Sequence, residues 1–371
     1  MKLNWVMNDF ICKELYTPFV VEKDSDYIDH LRKKFDLVLK QAKNAGADAE
    51  SIYIIQKYKT KIQLALECYY EAAIAECNII ILSLLEDIGD DSFAVSELKN
   101  SSAFYGDKTR ELQLFRCRLG DPSSAYTAKD MLHLPRNLRA KSGNYRFSIP
   151  GNPSLYLSNS SYGCWIETGF PPESEFNVSP VLLDGTQKVF NLAVYIRDFF
   201  KLNEFEEGRV HCWLKLCMLS VATSYRIKEQ NRVFKSEYII SQAIMMACRK
   251  LGYDGVAYYS KRVNDDVFAR CAVNLALFVR YDGEYSEIVK HMKMDDAFNY
   301  GLYKQLSACM SRREYELRSV HSGMATNIGT YDRQYSYQET EFSNFDKFLF
   351  ATWKDKGYGR GKDQVNWGIE I

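Results

Sequence analysis

The sequence has no excess of charge of either sign and no long hydrophobic run. Lysine and arginine together number 48, and aspartate and glutamate also number 48, so the formal net charge is zero. A protein that binds nucleic acid through its phosphates usually carries a basic excess, and we therefore predict no nucleic-acid partner. The longest apolar stretch, Ile79 to Leu85, is interrupted by Ser83 and is too short to cross a bilayer. We therefore predict no membrane partner.

The ten cysteines include no Cys-x-x-Cys pair, and the first residues lack the pattern of a secretory leader. Asp9 and Glu14 lie in this first segment, and no basic stretch followed by a long apolar run is present. Scattered cysteines are typical of buried apolar positions in a reducing compartment. We therefore predict a cytoplasmic protein.

A candidate metal cluster at His211, Cys212 and Cys217 fits no standard zinc spacing. Trp213 and Leu214, which lie between these residues, indicate a helix in the core instead. We therefore predict no metal site.

The first hundred residues are predicted to be helical. Apolar residues recur at alternating steps of three and four from Ile28 to Ala42 and stop before Asn44. A second stripe of the same period extends from Leu66 to Ile88 and stops at Gly89. We place a helical N-terminal region at 1–106.

From about Leu112 the sequence changes to short β-rich runs between clusters of proline, glycine and serine. A helix interrupts these runs, with Ser236 as its predicted N-cap and Gly252 after its last turn. Strands mixed with a helix, without regular βαβ spacing, predict an α+β fold with a mixed sheet. We place this domain at 107–284 and a C-terminal extension of helix and loop at 285–371. The predicted strands are Leu155–Leu157, Val189–Val194, Val256–Tyr259 and Ala272–Phe278.

The chemically distinctive residues of this domain are three arginines, a tyrosine and a glutamate among aromatic side chains. Arg116, Arg118 and Arg146 lie before or among predicted strands, and a planar guanidinium binds phosphate oxygens in pairs. Tyr156 can stack on a flat ring, and Glu167 can stabilise a developing cation. The combination suits a dinucleotide whose glycosidic bond is broken. The residues alone leave ion pairing, core packing and a solvated loop acid open as alternatives.

Several short motifs follow one another in an order that resembles the RES-domain family. Arg146 precedes Tyr156 by ten positions, and Tyr156 precedes Glu167 by eleven, as in that family. Tyr145 and Ser148 depart from the family pattern, which has glycine and asparagine there. The resemblance extends from about Gln113 to Arg280. Its motifs are Phe115-Arg116-Cys117-Arg118, Tyr145-Arg146-Phe147-Ser148, Leu155-Tyr156-Leu157, Glu167 and a closing segment with Gly252-Tyr253-Asp254-Gly255, Ser260 and Asn274-Leu275.

The resemblance implies a fold similar to ADP-ribosyltransferases, with NAD bound as a substrate and no cofactor or metal. It implies that Arg116 and Arg146 hold the pyrophosphate or an attacking phosphate. It also implies that Tyr156 packs against the nicotinamide or its ribose. Glu167 would bind a ribose hydroxyl and stabilise the oxocarbenium-like transition state.

The remaining site candidates are substrate-binding residues. Ser148, Ser260 and Asn274 are expected to supply polar contacts. We expect Arg116 and Arg118 to point to opposite faces of a strand, with Arg116 facing the cleft. Arg118 would then be a surface or salt-bridge residue, and it is a secondary candidate for substrate binding. The thiol of Cys164 is expected to be buried rather than nucleophilic.

The expected function is cleavage of the nicotinamide–ribose bond of NAD, by a glycohydrolase or a phosphorylase that acts as a toxin or defence effector. One alternative is an ADP-ribosyltransferase that modifies a protein. Another is a non-catalytic module of RES-like fold for nucleotide sensing or interaction. The expected partners are NAD, inorganic phosphate, and an antitoxin or a second copy of the chain at the N-terminal helices.

Overall fold

A computed structural model describes residues 13–21, 25–104, 112–121, 123–194, 207–229, 231–262, 271–309, 327–330, 333–355 and 369. Only the backbone is described at 13, 207–208, 309, 327–330, 333–336 and 354–355. No helix in these ranges combines the length and the apolar character needed to cross a membrane.

Three helices form the N-terminal region: α1 Tyr27–Asn44, α2 Ala49–Tyr70 and α3 Ile74–Ile88. Asp26 and Asp48 cap α1 and α2 by accepting hydrogen bonds from the backbone N–H groups of Ile28 and Ser51. The prediction of one continuous stripe from Leu66 to Ile88 was wrong. Ala72 adopts a left-handed conformation with φ of 62°, and the chain reverses so that α3 runs back along α2.

The helices of the remaining chain are α4 Ala128–Met131, α5 Ser161–Glu167, α6 Glu207–Thr223, α7 Ile239–Lys250, α8 Tyr300–Cys309 and α9 Glu341–Asp355. Gly252 follows α7 with φ of 79°, as predicted. Ser236 is not the N-cap of this helix, because it begins a 3-10 turn and its hydroxyl donates to Glu237. The N-cap position belongs to Tyr238, which makes no side-chain cap.

The strands are β1 Val95–Glu97, β2 Leu112–Leu119, β3 Ser154–Ser158, β4 Phe176–Leu183, β5 Lys188–Leu192, β6 Gly255–Tyr259, β7 Val273–Phe278, β8 Tyr281–Asp282, β9 Tyr285–Ser286, β10 Met292–Met294, β11 Phe298–Asn299, β12 Asn327–Thr330 and β13 Arg333–Ser336. Nine of these described strands form one mixed sheet in the order β1-β5-β6-β7-β3-β2-β4-β10, with β11 also beside β4. Only β5 and β6 are parallel within it. The fold is therefore α+β, as the sequence predicts.

The four predicted strands correspond to β3, β5, β6 and β7, whereas β4 was not predicted. Pro180 lies in the middle of β4, and proline normally argues against an interior strand because it has no N–H for the ladder. Here β10 pairs with residues 181–183 and β11 with 177–178. Pro180 therefore lies opposite the gap between these two short strands, where its missing N–H leaves no ladder bond unmade.

The sheet separates two cores, because alternate side chains of a strand point to opposite faces. In β7, Ala276 and Phe278 face a core built with α1, α2, α3, α6 and α7. Leu275 and Leu277 face the second core, which includes Met131. Helices α5, α8 and α9 pack against the β2 and β4 end of the sheet in a third, aromatic-rich cluster.

The predicted boundaries at 106 and 284 do not separate structural units. Strand β1 precedes the first boundary and pairs with β5, while β10 and β11 follow the second and pair with β4. The N-terminal helices also share one core with the sheet. The C-terminal extension contains α8 and α9, and the β12–β13 hairpin lies where only helix and loop are predicted.

Because α1–α3 and the sheet share a core, they are expected to unfold together. Ile81 is fully buried in α3, and Ile81→Ala is expected to lower the free energy of unfolding by about 2–5 kcal/mol. Ile79 in the same helix is 61% exposed, so Ile79→Ala is a matched control with an expected change within about 0.5 kcal/mol. Urea denaturation followed by circular dichroism and by tryptophan fluorescence measures both. Two separate transitions would contradict the shared core.

Candidate active site

The candidate site is a cavity of about 760 Å³ that opens where β2 and β3 separate. Among the described residues, the pairing between these strands is confined to Phe115 and Ser158, whereas β2 pairs with β4 over its whole length. Beyond that contact, residues of both strands line the cavity. The loop around Arg146 and the end of α5 line it as well.

The charge of the cavity wall is strongly asymmetric. Eight lysines and arginines line it, and Glu167 is the one carboxylate among the described lining residues. Since the whole chain has a net charge of zero, this concentration of positive charge is local. Such a wall favours an anionic ligand. The eight cations are Arg116, Arg118, Lys141, Arg146, Arg226, Lys235, Lys261 and Arg262.

Arg116 and Arg118 both line the cavity, so the prediction that only one faces it was wrong. Side chains two positions apart in a strand share a face, because the strand repeats every two residues. The guanidinium of Arg116 donates to the carbonyls of Met131 at 3.2 Å and Tyr156 at 3.1 Å, and burial lowers its pKa. Arg118 makes no hydrogen bond or ion pair with any described residue.

Arg146 also lines the cavity, and its guanidinium is already engaged in hydrogen bonds. It donates to the carbonyl oxygens of Thr223 and Tyr225, the latter at 2.6 Å, and lies 5.1 Å from the ring centroid of Tyr238. It makes no ion pair in the described chain. Arg146 therefore joins its loop to the C-terminal end of α6 while it presents positive charge to the cavity.

The segment 223–226, whose carbonyl oxygens accept the hydrogen bonds of Arg146, is itself bound by residues of the N-terminal region. Phe19 exchanges two backbone hydrogen bonds of 2.8 Å with Ser224 and Arg226. The hydroxyl of Tyr225 contacts Nδ1 of His30 at 3.0 Å. Residues before the predicted domain boundary thus support one wall of the cavity.

Tyr156 and Ser148 are joined to each other. The Tyr156 hydroxyl lies 2.8 Å from Ser148 Oγ and accepts a hydrogen bond from the Phe147 N–H at 3.2 Å. Ser148 Oγ also accepts from the Ser154 N–H. Burial raises the pKa of Tyr156, so this phenol stays protonated. Both residues line the cavity, but their hydroxyls are occupied in shaping the loop that carries Arg146.

Glu167 is the last residue of α5, with its carboxylate in the cavity wall. Its Oε1 accepts a hydrogen bond of 2.7 Å from Nδ2 of Asn274 in β7. Oε2 has no partner among the described residues. Asn274, predicted to bind substrate, therefore orients the carboxylate in this structure.

Gly163 allows α5 to approach the sheet closely. A Cβ at this position would lie 2.1 Å from Ser158 Oγ and 3.1 Å from the backbone of Cys271 and Ala272. The absence of a side chain thus brings Glu167 within reach of Asn274.

Two further residues from the sequence analysis, Ser260 and Cys164, have polar groups that are already engaged in hydrogen bonds with the protein. Ser260 is buried and is not among the residues that line the cavity, and its Oγ accepts from the Arg262 N–H at 3.3 Å. The buried thiol of Cys164 donates to the Phe115 carbonyl at 3.4 Å, and burial raises its pKa well above the usual value.

Several residues of the site were not predicted. Gln242 of α7 donates to three oxygens of the loop that carries Arg146, those of Asn144, Tyr145 and Ser148. Lys261 and Arg262 follow β6 after Ser260 and line the cavity, and a basic pair close to a strand end was the signal available for them. No group of three or more histidine, cysteine or acidic side chains that could hold a metal occurs within the described ranges.

The sequence profile of the RES domain matches residues 113–299, half of the chain. The chain belongs to the RES-domain family. The matched segment contains β2 from its second residue, β3 to β11 and every described residue that lines the cavity. The helices α1–α3, α8 and α9 lie outside the match.

Comparison with known proteins gave one similar sequence and one similar solved structure. "Putative toxin YopC" of Bacillus subtilis (strain 168) is 26% identical over 260 residues, which cover 65% of this chain and 54% of that protein. The chain thus spans about half the length of this curated relative. A crystal structure of the M. tuberculosis MbcT-MbcA toxin-antitoxin complex aligns with 62% of this chain and 97% of its own, at 13% identity and a TM-score of 0.31.

The hydroxyl of Tyr156 is expected to stabilise the RES domain through the Arg146 loop. Tyr156→Phe leaves the Phe147 N–H without its acceptor and is expected to lower the free energy of unfolding by about 1–3 kcal/mol. Tyr145 is 55% exposed in the same loop, so Tyr145→Phe is the control, with an expected change within about 0.5 kcal/mol. Chemical denaturation measures both. Equal stability of the two variants would show that the Tyr156 hydroxyl contributes nothing to the loop.

Proposed function

We propose that this protein is an NAD-consuming enzyme that cleaves the bond between nicotinamide and ribose. The observation that carries this proposal is one carboxylate, Glu167, set among eight cations in a single cavity. NAD is an anion at its pyrophosphate and a cation at its pyridinium ring. The cavity offers charge of the opposite sign to both. Membership of the RES-domain family supports the same assignment.

The cations suit the pyrophosphate and an attacking phosphate. The guanidinium of Arg118 is unpaired within the described chain, so it is available to bind two phosphate oxygens at once. Arg116 and Arg146 keep their positions through carbonyl hydrogen bonds and contribute charge at fixed places. Fixed charges in a partly enclosed site cost little reorganisation when the ligand binds.

Glu167 is assigned to the departing nicotinamide. As the glycosidic bond breaks, its electron pair passes to the ring nitrogen, and neutral nicotinamide leaves a cationic ribosyl group. Asn274 holds Oε1 of Glu167, so Oε2 is free to accept a hydrogen bond from a ribose hydroxyl and to stabilise that cation. Water or phosphate then adds to the anomeric carbon. No metal is needed in this scheme, because the pyridinium is already a good leaving group.

The biological role that we propose is that of a toxin or defence effector. Consumption of NAD would be harmful to a cell that cannot restrain it. The relative named as a toxin supports this role. Such activity requires restraint, and an antitoxin or a second copy of the chain at the N-terminal helices remains our prediction for it.

The reaction and its acceptor are tested by incubating purified protein with NAD, with and without phosphate, and separating the products by chromatography. Free ADP-ribose indicates hydrolysis, and its 1″-phosphate indicates phosphorolysis. Label on a protein indicates transfer. Intact NAD at high protein concentration would contradict the proposal and favour a non-catalytic module.

Glu167→Gln is expected to remove turnover and to leave NAD binding, because a neutral amide stabilises a developing cation poorly. We expect a loss of about 10²–10³-fold in kcat, the size found for the loss of one preorganised electrostatic group. Glu175→Gln, at an exposed acid outside the cavity, is the matched control and should retain full activity. Full activity of Glu167→Gln would refute the assigned role.

Arg118→Ala is expected to weaken NAD binding, because a charge-assisted hydrogen bond contributes about 1.5–3 kcal/mol. This corresponds to an increase of about 10- to 100-fold in KM. The control is Arg136→Ala, at an exposed arginine that does not line the cavity. The KM of both variants should be measured at low and high salt. An unchanged KM for Arg118→Ala would place this side chain outside the binding site.

A further inference from the structure

We propose that Asp346 of α9 is a positioning residue for Glu167, which it holds in place through α5. This inference rests on the proposed function, since it assigns a role relative to the carboxylate of that reaction. Asp346 lies outside the RES match, which ends at residue 299. The proposal therefore makes the C-terminal extension part of the active site.

Helix α5 needs support from outside itself. It has seven residues, and helices shorter than about 12 residues are marginal in water. Glu167 lies at its C-terminal end, where the helix dipole disfavours a negative charge. A carboxylate in this position keeps a defined orientation only if the helix that carries it is held by contacts with the surrounding structure.

Asp346 supplies such a contact at the other end of α5. Its Oδ1 accepts a hydrogen bond of 3.1 Å from the backbone N–H of Ser161, the first residue of the helix. Its Oδ2 accepts a hydrogen bond of 2.7 Å from the hydroxyl of Tyr337. Ser160 satisfies the Gly163 N–H at 2.9 Å from within the same segment. The first turn of α5 is thus held partly by its own cap and partly by α9.

Aromatic packing joins the first turn of α9 to α5. The ring of Phe342 in α9 lies 5.2 Å from that of Tyr162 and 5.3 Å from that of Trp165, both in α5. It also stacks on Tyr300 at 4.8 Å. Apolar contacts of this kind bring α9 against α5 but do not fix its rotation. The hydrogen bond from Ser161 to Asp346 adds direction to the packing.

Burial of the Asp346 carboxyl costs free energy. The packing of α9 against α5 therefore does not by itself explain why an acid occupies this position. Asp346 and Tyr337 are 2% and 1% exposed, and burial raises the pKa of Asp346 to about 7. The other titratable groups that act on it are Tyr300, Cys164 and Lys347. Removing the carboxyl leaves the Ser161 N–H and the Tyr337 hydroxyl without their acceptor, so a loss of stability is expected as well. A positioning role is therefore distinguished from a purely structural one by the separate effects on kcat and KM.

The test compares Asp346→Leu, which keeps the branching at Cγ in a larger side chain and removes the acceptor, with Asp346→Asn, which keeps both the volume and an acceptor for the Ser161 N–H. We expect Asp346→Leu to lose about 10²-fold in kcat with unchanged KM for NAD, the loss that follows a small misplacement of a catalytic group. Asp346→Asn should restore most of kcat. Glu341→Leu, at an exposed acid of the same helix, is the matched control.

Hydrogen exchange of residues 160–168 provides a readout that does not depend on activity. Faster exchange in Asp346→Leu than in Asp346→Asn and wild type supports the inference, even if wild type consumes no NAD and the proposed function fails. Unchanged exchange overturns it. A loss expressed in KM, or wild-type kcat in Asp346→Leu, also overturns it. If Asp346→Leu does not fold, Asp346→Ala takes its place with the same expectations.

Discussion

The site depends on the concentration of positive charge around a single carboxylate in the gap between β2 and β3. Eight cations in one cavity repel one another, so the fold has to hold them in place against that repulsion. It does so with backbone carbonyls for Arg116 and Arg146 rather than with acidic partners. A carbonyl satisfies the guanidinium N–H groups and leaves the full positive charge for a ligand. Glu167 is accordingly the one carboxylate among the described lining residues.

Two parts of the cavity wall are supported by segments of the chain outside the RES match. Phe19 and His30 hold the segment around Tyr225, whose carbonyl receives Arg146. Asp346 holds the start of α5, which ends at Glu167. The N-terminal and C-terminal extensions thus support two different parts of the same site. Neither extension is an independent attachment, because the first shares the main core and the second packs on β2 and β4.

Much of the fold followed from local patterns, and the failures have physical causes. The helical period of apolar residues in α1 can be recognised from residues that are close together in the sequence. The same is true of the β-rich runs of β3, β5, β6 and β7. The chain reverses at Ala72 without a glycine or a proline, so the sequence of α2 and α3 shows one continuous apolar stripe. Pro180 prevented the prediction of β4. A proline is accepted at this position only because it lies opposite the gap between β10 and β11, which are more than a hundred residues later in the sequence.

The sequence by itself determined the α+β class, the RES-domain family and the candidate residues Arg116, Arg146, Tyr156 and Glu167, because these are carried by short motifs at fixed spacing. The tertiary structure decided what each side chain contacts. In the structure Arg118 lines the cavity together with Arg116, and Asn274 donates a hydrogen bond to Glu167. Ser260 is buried and does not line the cavity. Spacing along one strand specifies a face, but contacts between elements that are distant in sequence depend on how the strands separate and the helices pack.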